Sequence, residues 1–340
     1  MEQIKKDLRI LCAAEGVGGQ TAITAAVAEL LKPLVDEVEV DVMGNVLGVR
    51  RAEHEDAPTL MLEAHLDEIG FLVTHIDDNG FVYTAAAGGI DKRVITAQPV
   101  IVFGDKPYYG VFCSTPPHLS KDGELLAVEK CGIDVGLSGE EAKKCIPLGS
   151  RVSYAPHFTE LNESVVSSKA LDDRAGIAAI LHCLRKVEGK CSVNIAVAFC
   201  VQEELGCRGV TPATRRLQPT AAIVTDVSFA LTPDADPRKC GKLGKGVMIG
   251  ISPILSAPDH LVDLAKKNDI PYQYEVMGGS TGTDADRVSV SLMGVPTALL
   301  SIPQRYMHTP VETVDVRDIA ATGDLMAAYI GEFDKEVYYK

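Results

Sequence analysis

Apolar residues recur at helical spacing over residues 2–14, with Ile4, Leu8 and Leu11, and over residues 21–32, with Ile23, Val27, Leu30 and Leu31. Both stretches predict amphipathic helices. The period then falls to two. Val38, Val40 and Val42 alternate with Glu39 and Asp41, and together with residues 45–50 they predict a hairpin turning at Met43-Gly44. The run Thr59-Leu60-Met61-Leu62 predicts a buried strand that leads to His65.

From about residue 67 to 164 the texture changes. Phe71 to Ile76 and Phe81 to Thr84 flank Asp77-Asp78-Asn79-Gly80, a strong hairpin signal because Asn-Gly supplies positive φ. Short apolar runs at 99–103, 108–113 and 149–154, separated by Gly and Pro, predict a small β domain. After residue 170 strands and helices alternate. A helix follows Asp172-Asp173, carrying Ile177, Ile180, Leu181 and Leu184. Strands are expected near 192–201, 221–226, 247–251, 272–276 and 296–302, and helices near 258–268, 283–293 and 315–331. The pattern predicts an α/β fold with a mostly parallel-core sheet covered by helices. It divides the chain into a domain made of 1–66 and 165–340, interrupted by a β-rich insert at 67–164.

Composition narrows the function classes. Hydrophobic residues make up 46% of the 340 and charged residues 24%, which allows a substantial globular core. The net charge of -14 leaves no basic stripe for nucleic acid and disfavours an anionic membrane surface. No apolar run reaches membrane-span length, and Met1 to Arg9 contains no apolar signal region. The nine cysteines show neither paired spacing nor Cys-x-x-Cys, so a disulfide framework is not expected. These features predict a reduced, soluble, cytoplasmic protein.

The candidate chemistry lies in five clusters: His65-Leu66-Asp67, Asp172-Asp173, Glu203-Glu204, Asp226 and His308. Most follow an apolar run. Side chains at the ends of buried strands converge at the sheet edge where α/β proteins bind ligands. Each cluster alone has an ordinary structural explanation, such as a surface pair, a helix start, a solvated turn, a cap or a loop. Together they resemble the ligand set of a two-metal hydrolase, in which imidazoles and carboxylates hold zinc, cobalt or manganese. Asp67, two positions after His65, is expected to accept the remaining imidazole N–H. Of the adjacent glutamates, one can ligate while its neighbour serves as general base, and the sequence leaves open which does which.

The stretches Ala64-His65-Leu66-Asp67-Glu68-Ile69-Gly70-Phe71, Lys169-Ala170-Leu171-Asp172-Asp173-Arg174-Ala175-Gly176 and Val201 to Gly209 resemble the glutamyl aminopeptidase family of dinuclear metal aminopeptidases, the TET peptidases, also labelled endoglucanases. Asp226-Val227, Gly282-Thr283-Asp284-Ala285 and Ile302 to Glu312 extend the likeness over nearly the full length, in order. The resemblance implies a zinc-peptidase-like fold and hydrolysis of N-terminal residues from short peptides. It implies that His65 and Asp226 bind one divalent metal ion, that Glu204 and His308 bind a second, and that Asp172 bridges them. Glu203 would be the general base and Asp67 the residue orienting His65. It further implies a cis peptide after Asp172, and a barrel-like insert that dimerises, with six dimers forming a tetrahedral dodecamer.

Competing readings are a carboxypeptidase, a deacylase, a glycan hydrolase, which needs two carboxylates flanking a sugar and no metal pair, and a metal-stabilised scaffold. Two segments depart from the family pattern. Ala13 to Gln20 replaces the usual Pro-Gly-x-Ser-Gly type of loop, and Arg287 stands where small uncharged residues are common. Arg287 is expected to be an exposed helix residue paired with Asp286 or Asp284. The sharper alternative places it in the first specificity pocket, recruiting acidic side chains.

Overall fold

The computed structural model describes residues 1–333 except 20, 117, 120–126, 188 and 190. Helices α1 (Glu2–Ala13) and α2 (Ala22–Leu31) precede the antiparallel pair β1 (Glu37–Val40) and β2 (Val46–Arg50), and β3 (Thr59–His65) follows. The next segment holds β4 (Gly70–Ile76), β5 (Val82–Ala87), β6 (Pro99–Phe103), β7 (Pro107–Phe112), β8 (Ile133–Asp134), α3 (Gly139–Cys145) and β9 (Arg151–Tyr154). Then come β10 (Phe158–Glu160), β11 (Val165–Ser168), α4 (Leu171–Lys186), β12 (Asn194–Cys200), α5 (Val210–Leu217) and β13 (Ala221–Phe229). The chain continues through β14 (Val247–Ile251), α6 (Pro258–Lys267), β15 (Tyr272–Val276), α7 (Ala285–Val288), β16 (Thr297–Arg305), β17 (Glu312–Asp315) and α8 (Val316–Gly331).

Eleven strands form one sheet in the order β1-β2-β12-β3-β13-β16-β17-β11-β10, with β14 and β15 attached beside β16. The centre, β12-β3-β13-β16, is parallel. Its flanks are antiparallel, so parallel pairing is confined to the middle of the sheet and to β14-β15. The remaining strands close a six-stranded barrel, β4-β5-β8-β7-β6-β9, around Phe71, Val100, Phe112, Ile133 and Tyr154. Here the hairpin signal at Asn79-Gly80 is realised. The chain returns to the large sheet at β10.

Strand period two sorts the central side chains onto two faces. Leu60, Leu62, Ile195, Val197, Phe199 and Ile223 pack into the larger core under α1, α4 and α8. Met61, Ala196, Ala198, Cys200, Ala222 and Val224 meet α5 and α7 on the other face. The continuous apolar runs of β3 and β12 thus belong to strands covered on both sides. Each fully buried Leu, Ile or Val contributes about 1.5–3 kcal/mol. The second face is lined by smaller residues, so short helices can lie close to it. Glu63 and His65 fall on this face by the same alternation.

Several elements differ from the sequence expectation: β8, α3, β10, β11 and β17 form where none is expected. The helix expected over 283–293 shortens to Ala285–Val288, α5 forms after the Glu203-Glu204 segment where no helix is expected, and β13 continues three residues past Asp226. All nine cysteines are free thiols. Among the described residues no helix is long and apolar enough to cross a membrane.

Candidate metal centre and active site

The centre forms where the parallel strands end. His65 closes β3, Glu203 and Glu204 follow β12, and His308 follows β16, while Asp226 lies within β13. Asp172 arrives from the opposite side at the start of α4, and its peptide bond to Asp173 is cis. Four residues beside these groups take a positive φ although none is glycine: Ala170, Gln202, Tyr306 and His308. A left-handed residue with a Cβ costs about 1–2 kcal/mol, and such conformations cluster where surrounding structure fixes a functional group.

Asp172 occupies the middle. Its Oδ1 lies 2.8 Å from His65 Nε2 and its Oδ2 3.4 Å from His308 Nε2. His65 Nε2 is 3.9 Å from Asp226 Oδ1, and His308 Nε2 is 3.2 Å from Glu204 Oε1. His65, Asp172 and Asp226 are all buried. Two sets of donor atoms, His65–Asp172–Asp226 and Asp172–Glu204–His308, each fall within 4.8 Å and share Asp172. Imidazole and carboxylate donors grouped this closely fit a divalent cation such as zinc, cobalt or manganese.

The electrostatics follow from this crowding. Burial opposes ionisation of Asp172, but contacts with His308 and His65 outweigh it and hold the carboxyl below its ordinary range. Burial also opposes charge on His308, yet Asp172 and Glu204 push that imidazole up to about 11. Glu204 is pushed up to about 7 by burial, with His308 pulling against the rise. Burial raises Glu203 as well, partly countered by His65. A partly buried carboxyl of raised pKa is suited to accept and return a proton near neutrality.

Supporting residues fix these candidate ligands. Glu312, 2% exposed, accepts the Asp172 backbone N–H at 3.1 Å through Oε2 and the His308 backbone N–H at 2.9 Å through Oε1. It thereby ties the two ligands together, a role that its place in the sequence does not reveal. The barrel also reaches in. A Cβ on Gly89 would stand 2.8 Å from His308 Nδ1, and one on Gly88 would stand 3.3 Å from Glu204 Oε2. The Gly88-Gly89 pair therefore permits close approach, and it is the one sequence signal that could mark this loop.

Asp67 faces His65 without closing a hydrogen bond to it. Its Oδ1 stands 3.6 Å from His65 Nδ1, beyond hydrogen-bond length. It instead accepts the backbone N–H of Glu203 at 3.0 Å. Beside it, the Glu68 carboxylate receives Lys169 Nζ at 2.8 and 2.6 Å and the Gly16 backbone N–H at 2.8 Å. The departing loop thus packs onto Glu68 rather than onto a ligand. Gln20 lies outside the described residues.

A cavity of about 1050 Å³ opens in front of the centre, lined by Asp172, Glu203, Glu204, Asp226 and His308. Arg287 lies on its wall. The expected pairing of Arg287 is not found. Asp286 instead accepts from the hydroxyls of Ser280 and Thr281, and Asp284 is buried with both oxygens unpartnered. Among the described residues no carboxylate forms an ion pair with Arg287.

Comparison with known proteins gives a consistent picture. The family model described as M42 glutamyl aminopeptidase matches residues 44–325. The chain is 35% identical to the lysyl aminopeptidase of Pyrococcus furiosus over 328 residues, 93% of this chain and 94% of that one. An aminopeptidase structure from the archaeon Desulfurococcus kamchatkensis superposes with a TM-score of 0.92 at 32% identity, covering 99% and 97% of the two chains. The Pyrococcus horikoshii TET1 peptidase, described as assembling into a tetrahedron or a large octahedral shell, superposes with a TM-score of 0.82 at 30% identity, covering 97% and 100%.

Proposed function

The chain belongs to the M42 glutamyl aminopeptidase family, and on that premise we propose that it is a two-metal aminopeptidase releasing N-terminal residues from short peptides. The carrying observation is Asp172, which offers one carboxylate oxygen to each of two histidines. His65 and Asp226 would hold one ion, Glu204 and His308 the other, with Asp172 between them. Zinc and cobalt suit the donors best, with manganese as a third option. When bound, such ions acidify a water and polarise the scissile carbonyl.

Glu203 is the general base. It takes the proton of the attacking water and returns it to the leaving amine. Its backbone N–H is anchored on Asp67, which fixes where the carboxylate starts. Asp67 also stands beside the buried face of His65 and limits how that ring can turn. Glu312 holds the backbone at Asp172 and His308.

The expected insert, residues 67–164, would dimerise through its barrel, whose strands run from Gly70 to Tyr154, and residues 1–66 with 165–340 would form the catalytic domain, whose sheet also takes in β10. Tyr109 and Val111, exposed apolar side chains on one face of β7, are the positions such a contact would cover. The assembly described for the Pyrococcus horikoshii relative supports a tetrahedral dodecamer here too.

The test uses aminoacyl anilides. Chelation should abolish hydrolysis, zinc or cobalt should restore it, and N-acetylated substrates should remain intact. Chelator-resistant turnover, or equal cleavage of acetylated substrates, would contradict the reading.

A further inference from the structure

The motif that supplies the general base also contains Cys207, which the proposed reaction does not use. The chain turns sharply after Glu203. The backbone N–H groups of Gly206 and Cys207 both donate to the Glu203 carbonyl at 2.9 Å, with φ of 103° at Gly206 and 56° at Cys207. This turn folds the thiol back over the base, and Cys207 Sγ donates to Glu203 Oε1 at 3.3 Å. Both side chains line the cavity.

Asp284 completes the arrangement from the segment before α7. It is 1% exposed, and neither carboxylate oxygen has a hydrogen-bond partner. A carboxylate buried without a donor or a counter-charge is costly unless something neutralises it. Donor atoms of Glu203, Cys207 and Asp284 all lie within 4.8 Å of one another. A cation bound at about 2.0–2.3 Å from each would draw those donors together.

We propose that Glu203, Cys207 and Asp284 form a third cation site, for zinc or another thiophilic divalent ion, and that filling it switches the enzyme off by capturing the general base. The inhibitory part rests on Glu203 being that base. The entering ion displaces the thiol proton to solvent, as thiolate ligation requires. One sulfur with two carboxylates selects zinc, cobalt or cadmium over manganese, whose preferred donors are oxygen. Filling this site requires loss of the thiol proton and brings a third cation beside the catalytic pair, so the third ion binds after the pair and leaves more readily. A deeper trio, Glu63, Cys200 and Asp284, shares Asp284. It is completely buried, with Glu63 and Cys200 at 0% exposure, and has no opening to the cavity through which an ion would enter.

Cobalt titration of the metal-free full chain tests the proposal. The catalytic ligands contain no sulfur, so a near-ultraviolet thiolate-to-cobalt charge-transfer band reports the third site alone. The band should be absent through two equivalents, grow with the third, and vanish in Cys207→Ala while persisting in Cys200→Ala. Metal analysis should count three zinc ions per wild-type chain at excess and two in Cys207→Ala. Zinc excess should lower wild-type turnover about 10²-fold or more relative to two equivalents. The same ratio in Cys207→Ala should stay near one, and manganese excess should leave wild-type turnover unchanged.

No sulfur band at any loading, a band lost with Cys200 instead, or a third equivalent bound without loss of turnover would overturn the proposal. Full peptidase activity alongside any of these results leaves the aminopeptidase reading standing. Inactivity at every metal loading would sink that reading, while the band still reports on the third site.

Discussion

Asp67 holds Glu203 by its backbone: the Glu203 N–H donates to Asp67 Oδ1 at 3.0 Å, and the same oxygen stands 3.6 Å from His65 Nδ1. One carboxylate therefore registers His65, the proposed metal ligand on β3, against Glu203, the proposed general base that follows β12. A partner standing behind a metal ligand in this way typically contributes about 10–100-fold in metal affinity or activity. Asp67→Ala should accordingly weaken metal retention in a chelator competition by about that factor, with a matching fall in kcat. Unchanged retention together with unchanged turnover would refute the role.

Metal binding should release protons, and release more of them at lower pH. In the metal-free chain Glu204 carries a proton below about 7, and His308 stays protonated up to about 11. Both must lose that proton to ligate. At pH 6 Glu204 adds a proton that it has already lost at pH 8, on top of those released by the raised imidazoles of His308 and His65. Apparent affinity should therefore fall as pH drops through about 7. Calorimetry in two buffers of different ionisation enthalpy measures the release, and equal release at pH 6 and pH 8 would contradict the assignment.

The Glu68–Lys169 pair predicts a stability effect separate from chemistry. Both side chains are buried, and Arg174 Nη2 approaches Glu68 only to 3.9 Å. Removing one partner strands a charge, which costs about 3–5 kcal/mol, whereas replacing both by apolar residues can be nearly neutral. Lys169→Met should lower the unfolding free energy by that amount, and Glu68→Leu added to it should not recover the loss, because it also removes the carboxylate facing the buried Arg174 guanidinium and the acceptor of the Gly16 N–H. A cost under about 1 kcal/mol for the single change would show that the pair is not what holds this region.

Arg287 lines the cavity with no ion pair among the described residues, so its guanidinium is available to a substrate carboxylate. Arg287→Ala should depress kcat/KM on glutamyl anilides selectively, leaving leucyl anilides close to wild type. Equal effects on the two substrates would remove Arg287 from specificity.

Where the sequence is legible, strand burial makes it so. β3, β12 and β13 are covered on both faces, and their long apolar runs suffice to bring His65, Glu203, Glu204 and Asp226 to one edge of the sheet. The barrel hairpin is equally readable from Asn79-Gly80. What escapes is carried by backbone and by long-range contact. Glu312 acts through the backbone N–H groups of residues 140 and 4 positions away, and no periodicity encodes that. The expected His65–Asp67 approach closes only to 3.6 Å, with the same Asp67 oxygen taken up by the Glu203 backbone N–H. The shortening of α7 has local causes: at its start Asp286 turns back to accept from the Thr281 and Gly282 N–H groups, and after Val288 the backbone turns, with Leu292 and Gly294 at positive φ.

The most direct test of the central claim is Glu203→Gln, assayed for turnover and metal content on the same preparation. The substitution keeps the size and hydrogen-bonding reach of the side chain but removes its ability to take a proton. Turnover should fall by about 10²–10⁴-fold, the usual contribution of a general base, while two metal ions per chain remain bound. Turnover near wild type with both ions in place would contradict the assignment of Glu203 and the mechanism built on it.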